Sequence, residues 1–264
     1  MTLDPGLRGA RVLVTAASRG IGLGAARAFL AEGARVVVNS SNRERLDRAV
    51  AELRTLGEVD GIVADLRRRA ELDRLVDGTV ARLGGLDTLV YVTGSPRPGV
   101  FLEQSYDDWS AAAELLVVSP AYLARRAAEA MGRSGHGGRM VFLTSTAIRE
   151  PIANIATSSV CRIAVAGLVR TLARELGPRR IRVNGILPGY TRTDRIEEVV
   201  ADAARRRGTS PDAVLGELVR DIPLGRLGTT EELGRVVVFL GSELSSYVSG
   251  AMVPVDGGAL RSVG

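Results

Sequence analysis

The chain has 264 residues, enough for one α/β domain with a large buried core. With 45% hydrophobic and 25% charged residues, its composition excludes general disorder. One cysteine, Cys161, excludes an internal disulfide, and one histidine, His136, beside it excludes an ordinary structural zinc site. All 35 basic residues are arginine, so no catalytic, Schiff-base or phosphate-loop lysine exists. The net charge of +5 is spread among interleaved acids, and the runs Arg67–Arg69 and Arg205–Arg207 read as solvated helix faces. No nucleic-acid partner is expected. No uninterrupted apolar stretch reaches the ~18 residues of a membrane span, so the reading is of a cytoplasmic chain with no membrane partner.

In chain order, short apolar runs alternate with longer helical patterns. Arg11 to Thr15, Arg35 to Asn39, Val59 to Ala64, Leu86 to Val92, Arg139 to Thr144, Ile181 to Leu187 and Met252 to Val255 read as buried strands. They are β-branched and apolar on both faces, as parallel strands covered by helices require. The segments between them carry apolar residues at three- and four-residue steps, such as Ala25, Ala26, Phe29 and Leu30. The pattern predicts an α/β fold: a single doubly wound Rossmann domain over 1–264, with a seven-stranded parallel sheet and helices on both faces. Its ligand then binds at the carboxyl ends of the strands. The longest break in the rhythm, Tyr190 to Leu227, holds two short charged helical patterns and reads as a substrate-lid insertion.

The first strand runs into Thr15-Ala16-Ala17-Ser18-Arg19-Gly20-Ile21-Gly22, followed at once by a helix. Glycines at such a turn let backbone N–H groups approach a pyrophosphate at the helix N-terminus. An NAD site wants a carboxylate at the end of the second strand, for the ribose 2′-hydroxyl. Here Asn39-Ser40-Ser41-Asn42 stands there with no acid, while Arg19 sits inside the turn. A guanidinium and two hydroxyls suit a 2′-phosphate, so the expected cofactor is NADP(H).

The turn resembles the T-G-x-x-x-G-I-G segment of the short-chain dehydrogenase/reductase family, with Ala16 in place of the first glycine. The likeness extends over nearly the whole chain, through Asp65-Leu66, Arg182-Val183-Asn184, Pro188-Gly189 and Val255-Asp256-Gly257-Gly258. It implies cofactor contacts from Thr15, Ala16, Ser18, Arg19, Ile21, Asn39, Ser40, Ser41, Asp65, Leu66, Thr93, Gly94, Pro188, Gly189 and Thr191. It also implies a 3-oxoacyl-carrier-protein reductase-like activity and a homotetramer or homodimer. The near-continuous apolarity of Ala111 to Leu123, with Ala164, Gly167 and Leu168 on one stripe, fits such an assembly.

Relatives use an Asn, a Ser and a Tyr-x-x-x-Lys. Ser145 fits the serine role, but thirteen residues on stands Ser158 and four further stands Arg162; the Asn position is Leu116. Ser145, Ser158 and Arg162 are therefore the candidate catalytic residues, and no metal is expected. An aliphatic hydroxyl cannot replace a tuned phenol as a general acid, although it can donate to a developing oxyanion. Arg162 keeps its charge and offers a planar fork, but cannot shuttle protons. Tyr91, Glu150 and Tyr190 are secondary candidates, whereas His136 reads as a surface turn and Cys161 as helix packing.

The expected function is NADP(H)-dependent reduction of a C=O, C=C or C=N group of a small molecule. A non-redox enzyme (isomerase, dehydratase or cyclase) and an NADP(H)-binding pseudoenzyme or regulator stay open. A substrate that brings its own positive charge, such as an iminium, dispenses with the missing acid, although Arg162 repels it unless Glu150, Asp194 or a substrate carboxylate offsets that charge. An activated enone is the other option, with Ser145 and Ser158 polarising its carbonyl.

Overall fold

A computed structural model describes residues 4–133 and 135–262. Seven strands form one parallel sheet: β1 (Arg11–Val14), β2 (Arg35–Ser40), β3 (Val59–Val63), β4 (Thr88–Tyr91), β5 (Gly138–Leu143), β6 (Ile181–Pro188) and β7 (Met252–Val255). Their spatial order is β3-β2-β1-β4-β5-β6-β7. Every expected strand is present, with ends shifted by two residues at most. The chain direction across the sheet reverses between β1 and β4, which opens a crevice at their carboxyl ends.

Helices α1 (Gly20–Ala31), α2 (Arg43–Leu53) and α9 (Thr230–Leu240) cover one face of the sheet. Helices α3 (Arg69–Leu83), α5 (Ser119–Gly132) and α6 (Ala156–Leu176) cover the other. On the first face Phe29, Val36, Val38 and Val237 share a core, and on the second Leu75, Leu89, Leu123, Phe142 and Val169 do. Helices α1 and α9 cross at glycines. A Cβ on Gly24 would lie 2.7 Å from the Thr230 carbonyl oxygen, and one on Gly234 2.8 Å from that of Gly24.

The expected helix over Ala111 to Leu123 is interrupted. Helix α4 (Tyr106–Ala113) passes through a π-helical turn, Glu114–Val118, into α5. The tyrosine hydroxyl of Tyr91, on β4, donates to the Leu115 carbonyl in that turn at 2.9 Å. Such turns insert one residue into the helical ladder and recur at functional sites. The arginine run Arg67–Arg69 also departs from expectation, because only Arg69 lies in α3. Arg67 folds back onto Asp65, so the triplet starts a helix rather than forming one of its faces.

Residues 190–227 contain α7 (Asp194–Arg207) and α8 (Pro211–Arg220), which pack on each other through Val200, Ala204 and Val214. By length and composition the helical stretch Ala156–Arg179 is long and apolar enough to cross a membrane, a test that core helices also pass. Here Val165 and Val169 of α6 belong to the core against the sheet.

Candidate active site

The crevice at the ends of β1 and β4 widens into a cleft of about 790 Å³. Its wall includes Ala16, Ser18, Arg19, Ile21, Asn39, Ser40, Ser41, Asp65, Leu66, Thr93 and Gly94. Thr15, Pro188, Gly189 and Thr191 are not part of that wall. Thr15 is fully buried, and its hydroxyl donates to the Val92 carbonyl at 2.6 Å while accepting from the Val92 amide at 2.8 Å. It therefore fastens the end of β1 to β4. Gly189 packs so closely on the chain before the C-terminus that a Cβ would lie 2.7 Å from Asp256 Cα. Thr191 donates to the Gly189 carbonyl at 3.2 Å.

The turn is shaped for a phosphate. Gly22 approaches the Ala16 carbonyl so closely that a Cβ would sit 2.6 Å from it. Ala16 takes a left-handed φ of 45°, a conformation that strains any residue with a Cβ by about 1–2 kcal/mol. Helix α1 begins without a side-chain cap and with no acid in its first turn, which leaves its amides and positive dipole end facing the cleft. These features fit a dinucleotide.

Asn39 organises the adjoining wall. Its amide donates to the carbonyls of Ile62 (3.2 Å) and Ala64 (3.0 Å), and its Oδ1 accepts from the Ala16 amide at 3.3 Å. The Ser18 and Ser40 hydroxyls meet at 3.0 Å. Arg19 reaches across the cleft to Glu198 on α7 at 3.4 Å. Arg45, which the sequence reading missed, also lines the cleft and forms no ion pair among the described residues. Asn42 caps α2 by accepting from the Arg45 amide at 2.8 Å, so Arg45 sits in the first turn of the helix, along the cleft wall with Ser41. Asp65 accepts from Arg67 Nε at 3.0 Å and Nη2 at 2.7 Å, and this pairing holds its carboxyl below the usual range.

Ser158 and Arg162 come together where the chain leaves β4 and β5, while no hydrogen bond links Ser145 to either of them among the described residues. Ser145 leaves β5 and caps a short 3-10 turn, accepting from the Ala147 amide at 3.1 Å. Ser158 and Arg162 lie one turn apart on α6, and Arg162 Nε donates to Ser158 Oγ at 3.0 Å. Its Nη1 donates to the Thr144 carbonyl at 3.3 Å and its Nη2 to the Gly94 carbonyl at 3.4 Å. Arg162 is only 7% exposed and forms no ion pair among the described residues. Burial pushes its pKa down, partly offset by Tyr91 and Cys161. A guanidinium has five N–H donors, so two remain for a ligand after these three contacts.

Among the described residues no acid hydrogen-bonds or ion-pairs with Ser145, Ser158 or Arg162, although Glu114 in the π-turn acts on Tyr91 through its charge. Leu116 is buried beside Ala112 and Cys161, so the position after the π-turn's second residue holds hydrocarbon. Tyr91 is 2% exposed, and burial pushes its phenol well above the ordinary value. Cys161 packs in the same cluster, with its thiol also pushed up by burial. Burial likewise raises the half-buried Tyr190 phenol, and Asp221 adds to the shift. Glu150 accepts from the backbone amides of Arg261 (2.7 Å) and Ser262 (2.8 Å), so it anchors the tail. His136 is exposed in a bend just before β5, at the other end of that strand from Ser145; Ser134 lies outside the described residues. No cluster of three or more His, Cys, Asp or Glu side chains suited to a metal occurs among the described residues.

Comparison with known proteins places this geometry in a family. The family model described as "Enoyl-(Acyl carrier protein) reductase" matches residues 15–259. The chain is 33% identical over 247 residues to the short-chain reductase protein NovJ of Streptomyces niveus, covering 93% of this chain and 92% of that one. It is 34% identical over 248 residues to human dehydrogenase/reductase SDR family member 4, covering 93% and 86%. Among solved structures it superposes on L-sorbose reductase from Gluconobacter frateurii, complexed with NADPH and L-sorbose, with a TM-score of 0.95. That match has 29% identity and covers 99% of this chain and 100% of that one. The chain belongs to the short-chain dehydrogenase/reductase family of oxidoreductases, whose nicotinamide-dinucleotide fold it shares.

Proposed function

We propose that this protein is an NADP(H)-dependent reductase of a small molecule whose acceptor is a carbonyl or a carbon–carbon double bond conjugated to one. The observation that carries the reading is Arg162, a buried cation with neutral partners and two free donors, one turn from Ser158. A bound reduced nicotinamide supplies hydride. The chain's own part is to hold the substrate oxygen and stabilise the negative charge that develops on it. Fixed donors in a site shielded from water are effective at this.

The same cation disfavours an iminium substrate. Glu150, which would offset it, is occupied by the tail, and Asp194 lies on the dinucleotide side of the cleft. A simple ketone would leave an alkoxide needing a proton that neither serine can readily give. An enone leaves a delocalised enolate, which Ser145, Ser158 and Arg162 can hold while water protonates carbon. Conjugated carbonyls are therefore the preferred class. The test is NADPH oxidation with matched ketone, enone and cyclic imine substrates. Absence of NADPH consumption with all three would favour the non-redox or binding-protein readings.

For the cofactor, Ser40, Ser41, Arg45 and Arg19 would receive the 2′-phosphate, and the backbone turn Ala16–Ile21 the pyrophosphate. Arg162 would also reach the nicotinamide ribose. Residues 190–227 would act as a lid, with the Arg19–Glu198 contact closing it over the phosphates. The chain would assemble as a homotetramer or homodimer through α6, where Val160 and Ile163 are 55% and 52% exposed. Exposed apolar side chains on one helix face beside Ala164 and Gly167 suit burial against another copy.

A further inference from the structure

The carboxyl end of the sheet holds the cleft and the catalytic candidates, and the amino end holds a second cavity. About 560 Å³ in volume, it lies between the starts of β5 and β6, the end of α6 and the loop entering β7. Arg139 and Arg182 stand opposite each other in the β5–β6 register, so both side chains leave the same face of the sheet. They are mostly buried, with 15% and 18% of their side-chain surface exposed. One carboxylate, Glu243, contacts both. Arg182 also donates to the Ser242 carbonyl at 2.7 Å.

This arrangement leaves positive charge and donors over. The Nε of Arg139 and the Nε of Arg182 are buried without a hydrogen-bond partner. Asp87, near Arg139, is engaged by the backbone amide, Nε and Nη2 of Arg11. Arg180 also lines the wall. Arg139 and Arg182 thus share one carboxylate, Glu243, while the charge of Asp87 acts on Arg139 but its oxygens are taken by Arg11. Burial lowers the pKa of Arg139 and of Arg182, and Arg139 lowers that of Arg182 further. Like charges opposed on neighbouring strands destabilise a sheet, and a buried donor without an acceptor adds to that. An anion between them relieves both.

We propose that this cavity is a second ligand site, specific for a phosphate-type dianion and separate from the nucleotide cleft. Guanidinium forks match the oxygens of such an anion, and the two adjacent side chains offer donors from both sides. Occupancy would tie the loop Ser242–Ser249 to the first residues of β5 and β6. The probe is inorganic phosphate, titrated into the full chain already saturated with NADPH so that the cleft's own phosphate sites are filled. Calorimetry should show saturable binding of one phosphate per chain, and melting should rise with phosphate but not with chloride at matched ionic strength. Arg182→Met should weaken phosphate binding about tenfold or more while leaving NADPH binding unchanged. If that variant fails to fold, the exposed Arg180→Met gives the same readout. A melting shift that follows ionic strength whatever the anion, no phosphate binding once NADPH is present, or unchanged binding in a folded variant would each overturn the proposal.

Discussion

Arg162 Nε donates to Ser158 Oγ at 3.0 Å, which fixes the serine's acceptor lone pair and leaves its own proton free for a ligand. The pair replaces a tunable acid with a fixed electrostatic clamp. Arg162→Met should lower kcat/KM for the preferred substrate about a hundredfold, the usual loss for removing an oxyanion donor. Folding stability should stay level or rise, because a buried cation without a counter-ion is costly and methionine fills similar space. Steady-state kinetics and thermal melting on one preparation check both halves.

The cofactor preference should follow Arg45 and Arg19. Arg45→Ala should weaken NADPH binding about tenfold, the scale of one charge-assisted contact, and leave NADH binding unchanged. Arg19→Ala should act in the same direction. Calorimetric titration of each variant with both cofactors reads this directly, and tighter binding of NADH by the parent would refute the assignment.

Much of the fold and part of the site are legible in the sequence. The seven strands could be read because β-branched apolar runs buried on both faces leave few alternatives. Ser158 and Arg162 could be paired because a four-residue step on a helix shares a face. Arg45 was missed because its place depends on how Asn42 caps α2, a matter of one turn's geometry. Glu150 read as an available acid, since its contact with Arg261 and Ser262 spans more than a hundred positions that no local pattern connects. The bonds of the Thr15 hydroxyl to Val92 likewise join positions far apart in the chain. The π-turn at Glu114–Val118 had no local signal in an alanine- and leucine-rich stretch.

Acid should act through Asp87. Burial alone would raise its pKa, but the hydrogen bonds and charge of Arg11 outweigh this and hold it below the ordinary value. A carboxylate depressed in the folded state stabilises the fold above its unfolded pKa of about 3.9, and that contribution disappears as pH falls through the folded pKa. Denaturant unfolding should therefore show stability falling below about pH 4, with a smaller acid-dependent loss in Asp87→Asn. An identical acid limb in parent and variant would rule out this origin.

Assembly should depend on the exposed face of α6. Val160→Glu combined with Ile163→Glu places like charges where another copy would pack, and should convert an oligomer to a folded monomer. Light scattering at micromolar concentration reads the mass, and a monomeric parent would contradict the proposed interface.

The central claim is that the chain stabilises an oxyanion without supplying a proton. It is tested most directly by measuring NADPH oxidation with an enone, the matching saturated ketone and a cyclic imine of similar size. The enone should turn over fastest, and Ser158→Ala should slow it. Ser158→Tyr with Arg162→Lys should restore some ketone reduction. Fast reduction of the plain ketone by the unmodified protein, with Ser158→Ala as active as the parent, would contradict the account.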